Sequence, residues 1–311
     1  MAAAVTRFVL SLSWRVKRLQ LALSDRVDLI RSRNREIEDC TSVCLMLGPY
    51  RNLTTLTAAT LFLHPTCQVL NHAGARIYGN GQVDFLSEYS EERFDRFVRF
   101  AITISAKGQG GSLGGSITHS HAFDYPRMTE AFGEDPRLIK ERITCLCWKQ
   151  SLKTSNRIRD ARVDLPAILG SNDRLRFLMP VRHPLDCAES NLRTGHLSLF
   201  RGLDKESSVF DVVDAVLDEI YWFALQQEAW PDRFFCFFEH AISAETLVEL
   251  ATFLDLDPSA SWLSKAKSVM VTESRYDHSS ELVGFYRQAV SDRFSRFPVM
   301  SEGLLAFSAD Q

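Results

Sequence analysis

Apolar runs of strand length recur along the chain, and between them the apolar positions change to helical spacing. "SVCLMLG" (42–48), "QVLNHA" (68–73), "RFLMPVR" (176–182) and "RFFCFFE" (233–239) are close to continuous apolar stretches. Strands covered on both faces read this way. Phe94, Phe97, Val98 and Ala101 share one helical face, as do Val209, Val213, Val216 and Ile220, and again Leu247, Leu250 and Leu254. Ser243 stands where the third of these helices needs an N-cap. Strands alternating with helices predict an α/β fold, a three-layer parallel sheet flanked by helices. Ligands of such sheets bind beyond the carboxyl ends of the strands. The turn after Leu47 is therefore the first place to look for a site.

A further helical pattern lies at the N-terminus, where Val5, Phe8, Val9, Leu12, Val16, Leu19 and Leu23 interleave with basic residues. The first 35 residues carry eight basic side chains (Arg7, Arg15, Lys17, Arg18, Arg26, Arg31, Arg33, Arg35) and two acidic ones. The expected organisation is a basic amphipathic extension, 1–40, packed on a single domain, 41–311. Such a helix also allows peripheral contact with an anionic membrane. No stretch reaches the about 18 apolar residues of a membrane span.

At 311 residues, 45% hydrophobic and 11% aromatic, the chain has ample material for a core. A net charge of −3 excludes nucleic-acid binding by bulk electrostatics, so an anion site must be local. The seven cysteines lie mostly within apolar runs, the pattern of free thiols in a reducing, cytoplasmic setting. Cys145-Leu-Cys147 has no second pair at zinc spacing, and no metal site is expected. "KGQGGSLGG" (107–115) does not stand between a clear strand and a helix, so it reads as a loop and not as a dinucleotide fingerprint.

The chemistry concentrates in "CLMLGPYRNLTTLTAATLFLHP" (44–65), an apolar run that turns directly into a helical pattern. A strand followed at once by a helix aims the helix's free amides at whatever occupies the turn. Laid against the phosphate loop G-x-x-x-x-G-K-[ST], "GPYRNLTT" keeps Gly48 and Thr55. It has Thr54 in place of the lysine and Leu53 in place of the second glycine. Without that lysine a kinase or ATPase is disfavoured. What remains suits one terminal phosphate with a second anionic group beside Arg51.

The same stretch resembles the 5′-phosphosulfate loop of the sulfotransferases, G-x-x-R-S-G-T-T followed by an apolar helix. A second motif of that family, R-x-P-x-D-x-x-x-S, is matched by "VRHPLDCAES" with Arg182, Pro184, Asp186 and Ser190 in register. Weaker echoes are "WKQSLKTSN" (148–156), "DRFFCFFEH" (232–240) and "LVELATFLDLD" (247–257), so the resemblance covers roughly residues 40–260. Asn52 and Leu53 depart from the family's Ser-Gly. No Lys-Gly-x-x-Gly motif of the cytosolic small-molecule branch is present, which places the likeness nearer the carbohydrate, tyrosyl and bacterial branches.

The resemblance implies 3′-phosphoadenosine 5′-phosphosulfate (PAPS) as donor and 3′-phosphoadenosine 5′-phosphate (PAP) as product. It implies in-line transfer of a sulfuryl group to an acceptor hydroxyl on a glycan, lipid or other alcohol. It assigns Arg51 to the developing charge, and Gly48, Pro49, Tyr50, Asn52, Leu53, Thr54 and Thr55 to the loop around the 5′-phosphate. Arg182 and Ser190 go to the 3′-phosphate. A histidine would take the acceptor's proton, His72 first and His121 of "THSHAFD" second. Lys149 and Lys153 are read as solvated, with approach to the sulfuryl group or the acceptor as the lesser reading, His64 as helix-end structure, and Glu239 as a loop tie. A catalytically silent PAP-binding or protein-binding module on the same fold is the second reading, motivated by Leu53.

Overall fold

The structure is a computed structural model and describes residues 22–108, 113–133, 137–272 and 276–308. Most of the basic N-terminal pattern lies outside them. Residues 22–32 are helical (α1). The chain continues through β1 (Ser42–Met46), α2 (Thr54–Phe62), β2 (Cys67–Asn71), the single turn α3 (Gly74–Ile77), α4 (Glu91–Ser105), β3 (Gly115–Ser116) and α5 (Pro126–Phe132). Then come β4 (Cys145–Lys149), α6 (Leu152–Asp160), α7 (Leu165–Ser171), β5 (Leu175–Val181), α8 (Pro184–Thr194) and α9 (Val209–Ala229). β6 (Phe234–Phe238), α10 (Ala244–Phe253), α11 (Ala260–Val269), α12 (Ser280–Arg293) and α13 (Pro298–Ala306) complete it.

The helices begin where the sequence supplies caps. The Ser90 and Ser243 hydroxyls accept from the amides of Arg93 and Thr246, and Ser208 with Asp211 closes a capping box at α9.

Among the described residues, six strands form one sheet in the order β3-β2-β4-β1-β5-β6. All neighbours are parallel except β3, which runs antiparallel to β2 at the edge. Strand side chains alternate between two cores, as a period of two requires. Val43, Leu45, Trp148, Phe177 and Met179 join one core with α4, α8 and α9. Cys44, Met46, Val69, Cys147 and Leu178 join the other with α2, α10 and α11. The three-layer α/β arrangement expected from the sequence is the one observed.

Two expectations change. β4 was not among the anticipated strands, although it sits in the middle of the sheet between β2 and β1. The glycine-rich stretch is not wholly a loop, because Gly115 pairs with Asn71 of β2. Gly114 (φ 68°) packs so closely that a Cβ there would lie 2.4 Å from the Ala73 amide nitrogen.

The connection from β1 crosses to one side toward β2, and that from β5 to the other toward β6. Their carboxyl ends therefore part and leave a crevice, the position where open α/β sheets take ligands.

Candidate functional site

The turn after β1 is shaped by backbone strain. Gly48 (φ 95°) passes so near Met179 that a Cβ would come within 2.9 Å of its side chain. Arg51 (φ 64°) and Leu53 (φ 58°) hold left-handed conformations, as do His72 (61°) and Ala73 (73°) after β2 and Ser151 (55°) after β4. The other described non-glycine residues with positive φ are Arg162 and Asp255. Strain of this kind costs about 1–3 kcal/mol per residue, and it gathers here at the carboxyl ends of three adjacent strands. Leu53 adopts the backbone angle that a glycine would supply, so the turn closes onto α2 without one.

Side chains lock the turn. Asn52 is buried, its Nδ2 donating to the Pro180 carbonyl and its Oδ1 accepting from the Arg182 amide at 2.8 Å. It ties the β1 turn to the end of β5. The Tyr50 carbonyl accepts from Asn191 Nδ2 at 2.8 Å, and Ser151 Oγ donates to Thr54 Oγ1 at 2.9 Å. Arg51 Nε donates to Ser190 Oγ at 2.8 Å, which leaves the outer nitrogens of its guanidinium to the crevice.

Lys149 was read as solvated, and the structure corrects this. It ends β4 in register with both Met46 and Asn71, and is 5% exposed. Its Nζ lies 3.4 Å from His72 Nε2. Burial, and secondly the Arg51 charge, pull the Lys149 ammonium from 10.5 down to about 8. His72 is held by its backbone: its amide donates to the Lys149 carbonyl at 2.8 Å, and its carbonyl accepts from the Trp148 indole. Burial first, then Lys149, Lys153 and His121, lower its pKa to about 3, so His72 is neutral. His121 is lowered by burial and by Arg51 and Lys149, while Asp124 acts in the opposite sense.

At the end of β5, Arg182 is 5% exposed and lies 3.5 Å from Asp186 Oδ2. Asp186 Oδ1 is 2.9 Å from His278 Nε2, which joins the segment before α12 to α8. Tyr276 of that segment stacks under the Arg182 and Arg193 guanidinium groups, at 6.0 and 4.6 Å from its ring centre.

These residues enclose a cavity of about 650 Å3. It is lined by Tyr50, Arg51, Asn52, Leu53, Thr54 and Thr55 from the β1 turn, by Asn71, His72 and Lys149 from the ends of β2 and β4, and by Arg182 from β5. His119, Ser120, His121, Tyr125, Arg127, His196, Val271 and Thr272 complete the wall with a few apolar neighbours. Among the described residues the lining holds four Arg or Lys side chains and no carboxylate. The first turn of α2 opens into the same space, adding amides that no helix carbonyl can satisfy. A cavity of about 700 Å3 at the opposite ends of the strands is different in kind, because carboxylates, among them Asp95, Asp173, Asp232 and Asp255, line it beside its arginines.

Of the residues anticipated from sequence, Arg51, His72 and His121 meet in this cavity with Tyr50, Asn52, Leu53, Thr54, Thr55 and Arg182. Gly48, Pro49 and Ser190 do not line it. The Gly48 amide donates to Ser155 Oγ at 3.0 Å, and buried Ser190 holds Arg51. Glu239 ties a loop, as expected, by accepting from the His183 amide at 3.0 Å. His64 bridges the Thr66 amide and the Asp257 carbonyl. Lys149, Tyr125, Arg127, His196 and Thr272 were missed. Lys149 could have been found from its place at the end of an apolar run, had Cys145 to Trp148 been taken as a strand.

No family model and no curated protein matches the chain. Its structure is similar to a mouse sulfotransferase, SULT7A1, solved with PAP, at 9% identity and TM-score 0.43, covering 88% of this chain and 90% of that one. It is similar to the sulfotransferase domain of a Synechococcus PCC 7002 olefin synthase at 12% identity and TM-score 0.38, covering 78% and 92%. A third is sulfotransferase STF9 from Mycobacterium avium, at 13% identity and TM-score 0.45, covering 91% and 82%. The structures it is similar to are sulfotransferases.

Proposed function

We propose that this chain is a sulfotransferase that moves a sulfuryl group from PAPS to an acceptor hydroxyl. The observation that carries the reading is the cavity itself. A protein of net charge −3 gathers Arg51, Lys149, Arg182 and Arg127 around a helix N-terminus, with no carboxylate among the described lining residues. That environment fits a donor with two separated phosphate groups. A kinase-like Mg-ATP site would place an acidic side chain here to hold the metal, and the β1 turn also lacks the lysine of that loop.

Each residue then has a role. Thr54, Thr55 and the α2 amides hold the 5′-phosphate, and Arg182 the 3′-phosphate above Tyr276. Arg51 and Lys149 face the bond that breaks, between sulfur and the 5′-phosphate oxygen. As the acceptor oxygen bonds to sulfur, the electron pair of the old bond withdraws onto the phosphate, and the two cations stabilise it. The acceptor's proton passes to a histidine. His72 is neutral and next to Lys149, and His121 lines the same cavity. Burial depresses both first and nearby cations second, and the donor's negative charge offsets the cations, raising the histidines' proton affinity when it is needed. Glycan, lipid and simple alcohol acceptors all fit this chemistry. The buried free cysteines suit a reducing, cytoplasmic setting.

The test is transfer of labelled sulfate from PAPS across a panel of hydroxyl acceptors. Arg51→Ala is expected to lower turnover about 100–1000-fold, the scale of one lost oxyanion donor. Unchanged turnover would remove Arg51 from the mechanism. A second reading, a silent PAP-binding module, is favoured by the weak basicity of His72. It predicts PAP binding with no transfer to any acceptor.

A further inference from the structure

We infer that α1 is a docking helix that seats the protein on an anionic membrane surface. Leu23, Val27 and Ile30 fall at i, i+4 and i+7, one stripe of the helix, and are 62%, 46% and 63% exposed. An apolar stripe of a surface helix normally faces its own domain. Here it faces away.

The reason lies in the charges. The two acidic residues of this helix point inward. Asp25 and Asp28 both bond Arg76 at 2.7 Å, and Asp28 also pairs with Lys107. Asp28 and Arg76 are buried. This polar anchor, with Leu29 alone packed against the core beside it, fixes which face of α1 meets the domain. The acids are thus neutralised inside, while Arg26 and Arg31 stay exposed on the two sides of the apolar stripe and exposed Arg33 follows it.

An apolar stripe flanked by arginines, with its acids withdrawn, complements an interface of acyl chains and negative head groups. The stripe's spacing also continues backward in the sequence through Leu19, Val16, Leu12 and Phe8, with Arg15, Lys17 and Arg18 beside it. Those positions lie outside the described residues. A second copy of this chain would present the same arginines to each other, which charge opposes. Arg76 belongs to α3, which begins two residues after His72, so docking through α1 would hold the cavity near the surface.

The experiment is flotation of the full chain with vesicles of phosphatidylcholine alone and with a third of phosphatidylglycerol. Binding to the anionic vesicles only, weakening as salt rises, is expected. A Leu23→Asp, Val27→Asp, Ile30→Asp variant should bind at least tenfold less with an unchanged melting temperature, since all three side chains are exposed. An Arg26→Glu, Arg31→Glu variant, which leaves the stripe intact, should also lose anionic selectivity. Failure of the wild type to float with anionic vesicles would overturn the inference. So would equal flotation of the wild type and the triple variant, or a wild-type dimer that the triple variant dissolves.

Discussion

Lys149 is the residue on which burial and chemistry meet most directly. Its ammonium holds a proton below about pH 8 in the folded chain, against an ordinary value of 10.5. Between these values the folded state binds fewer protons than the unfolded one, so stability rises with pH across that window. Lys149→Met should flatten this rise, as thermal denaturation at several pH values between 7 and 10 would show. Donor or product supplies negative charge and returns the pKa toward 10.5. PAP binding near pH 9 should therefore take up about one proton, read by calorimetry in buffers of different ionisation enthalpy. The uptake should vanish in Lys149→Met. At this scale the sequence was partly legible. Arg51 and Arg182 were found because their types sit in spaced motifs. Lys149 was not, because a lysine after Trp148 looks solvated until the β1–β4 register places it beside Met46.

The turns at the strand ends are the elements that decide the site. Leu53 holds φ 58° with a side chain that disfavours it. Leu53→Gly should keep PAP affinity or raise it. Leu53→Val, β-branched at the same angle, should weaken PAP binding and lower the melting temperature by a few degrees. Equal behaviour of the two variants would show that the loop does not depend on this conformation. Asn52 offers a second test. Asn52→Ala strips the Pro180 carbonyl and the Arg182 amide of their partners, at about 1–3 kcal/mol for each group left unsatisfied. The melting temperature should fall, and PAP affinity should drop at least about tenfold as the β1 and β5 ends separate. Such geometry was not readable in advance. The motif placed Asn52 and Ser190 beside the donor; in the fold Asn52 lines the cavity while tying the β1 turn to the end of β5, and buried Ser190 accepts from Arg51. What a sequence motif conveys is which residues belong together, not which of them face the cavity.

Across the whole molecule, the α/β class followed from strand-length apolar runs alternating with helical spacing, and four of the six strands were visible in that way. β4 was hidden because its apolar run is only four residues, Cys145 to Trp148, before a lysine, although the sheet buries all five. β3 is two residues long and exists only because Gly114 and Gly115 can lie against the β2 edge. The cationic cavity was invisible in the net charge, since it arises only when turns distant in sequence meet at one edge of the sheet. This edge should bind a 3′,5′-bisphosphorylated nucleoside. Calorimetric titration of the purified chain with PAP tests it most directly, with ADP and Mg-ATP as controls. Micromolar binding of PAP, much weaker binding of both controls and loss of the signal in Arg182→Ala are the predicted result. A folded protein that ignores PAP, or prefers Mg-ATP, would contradict it.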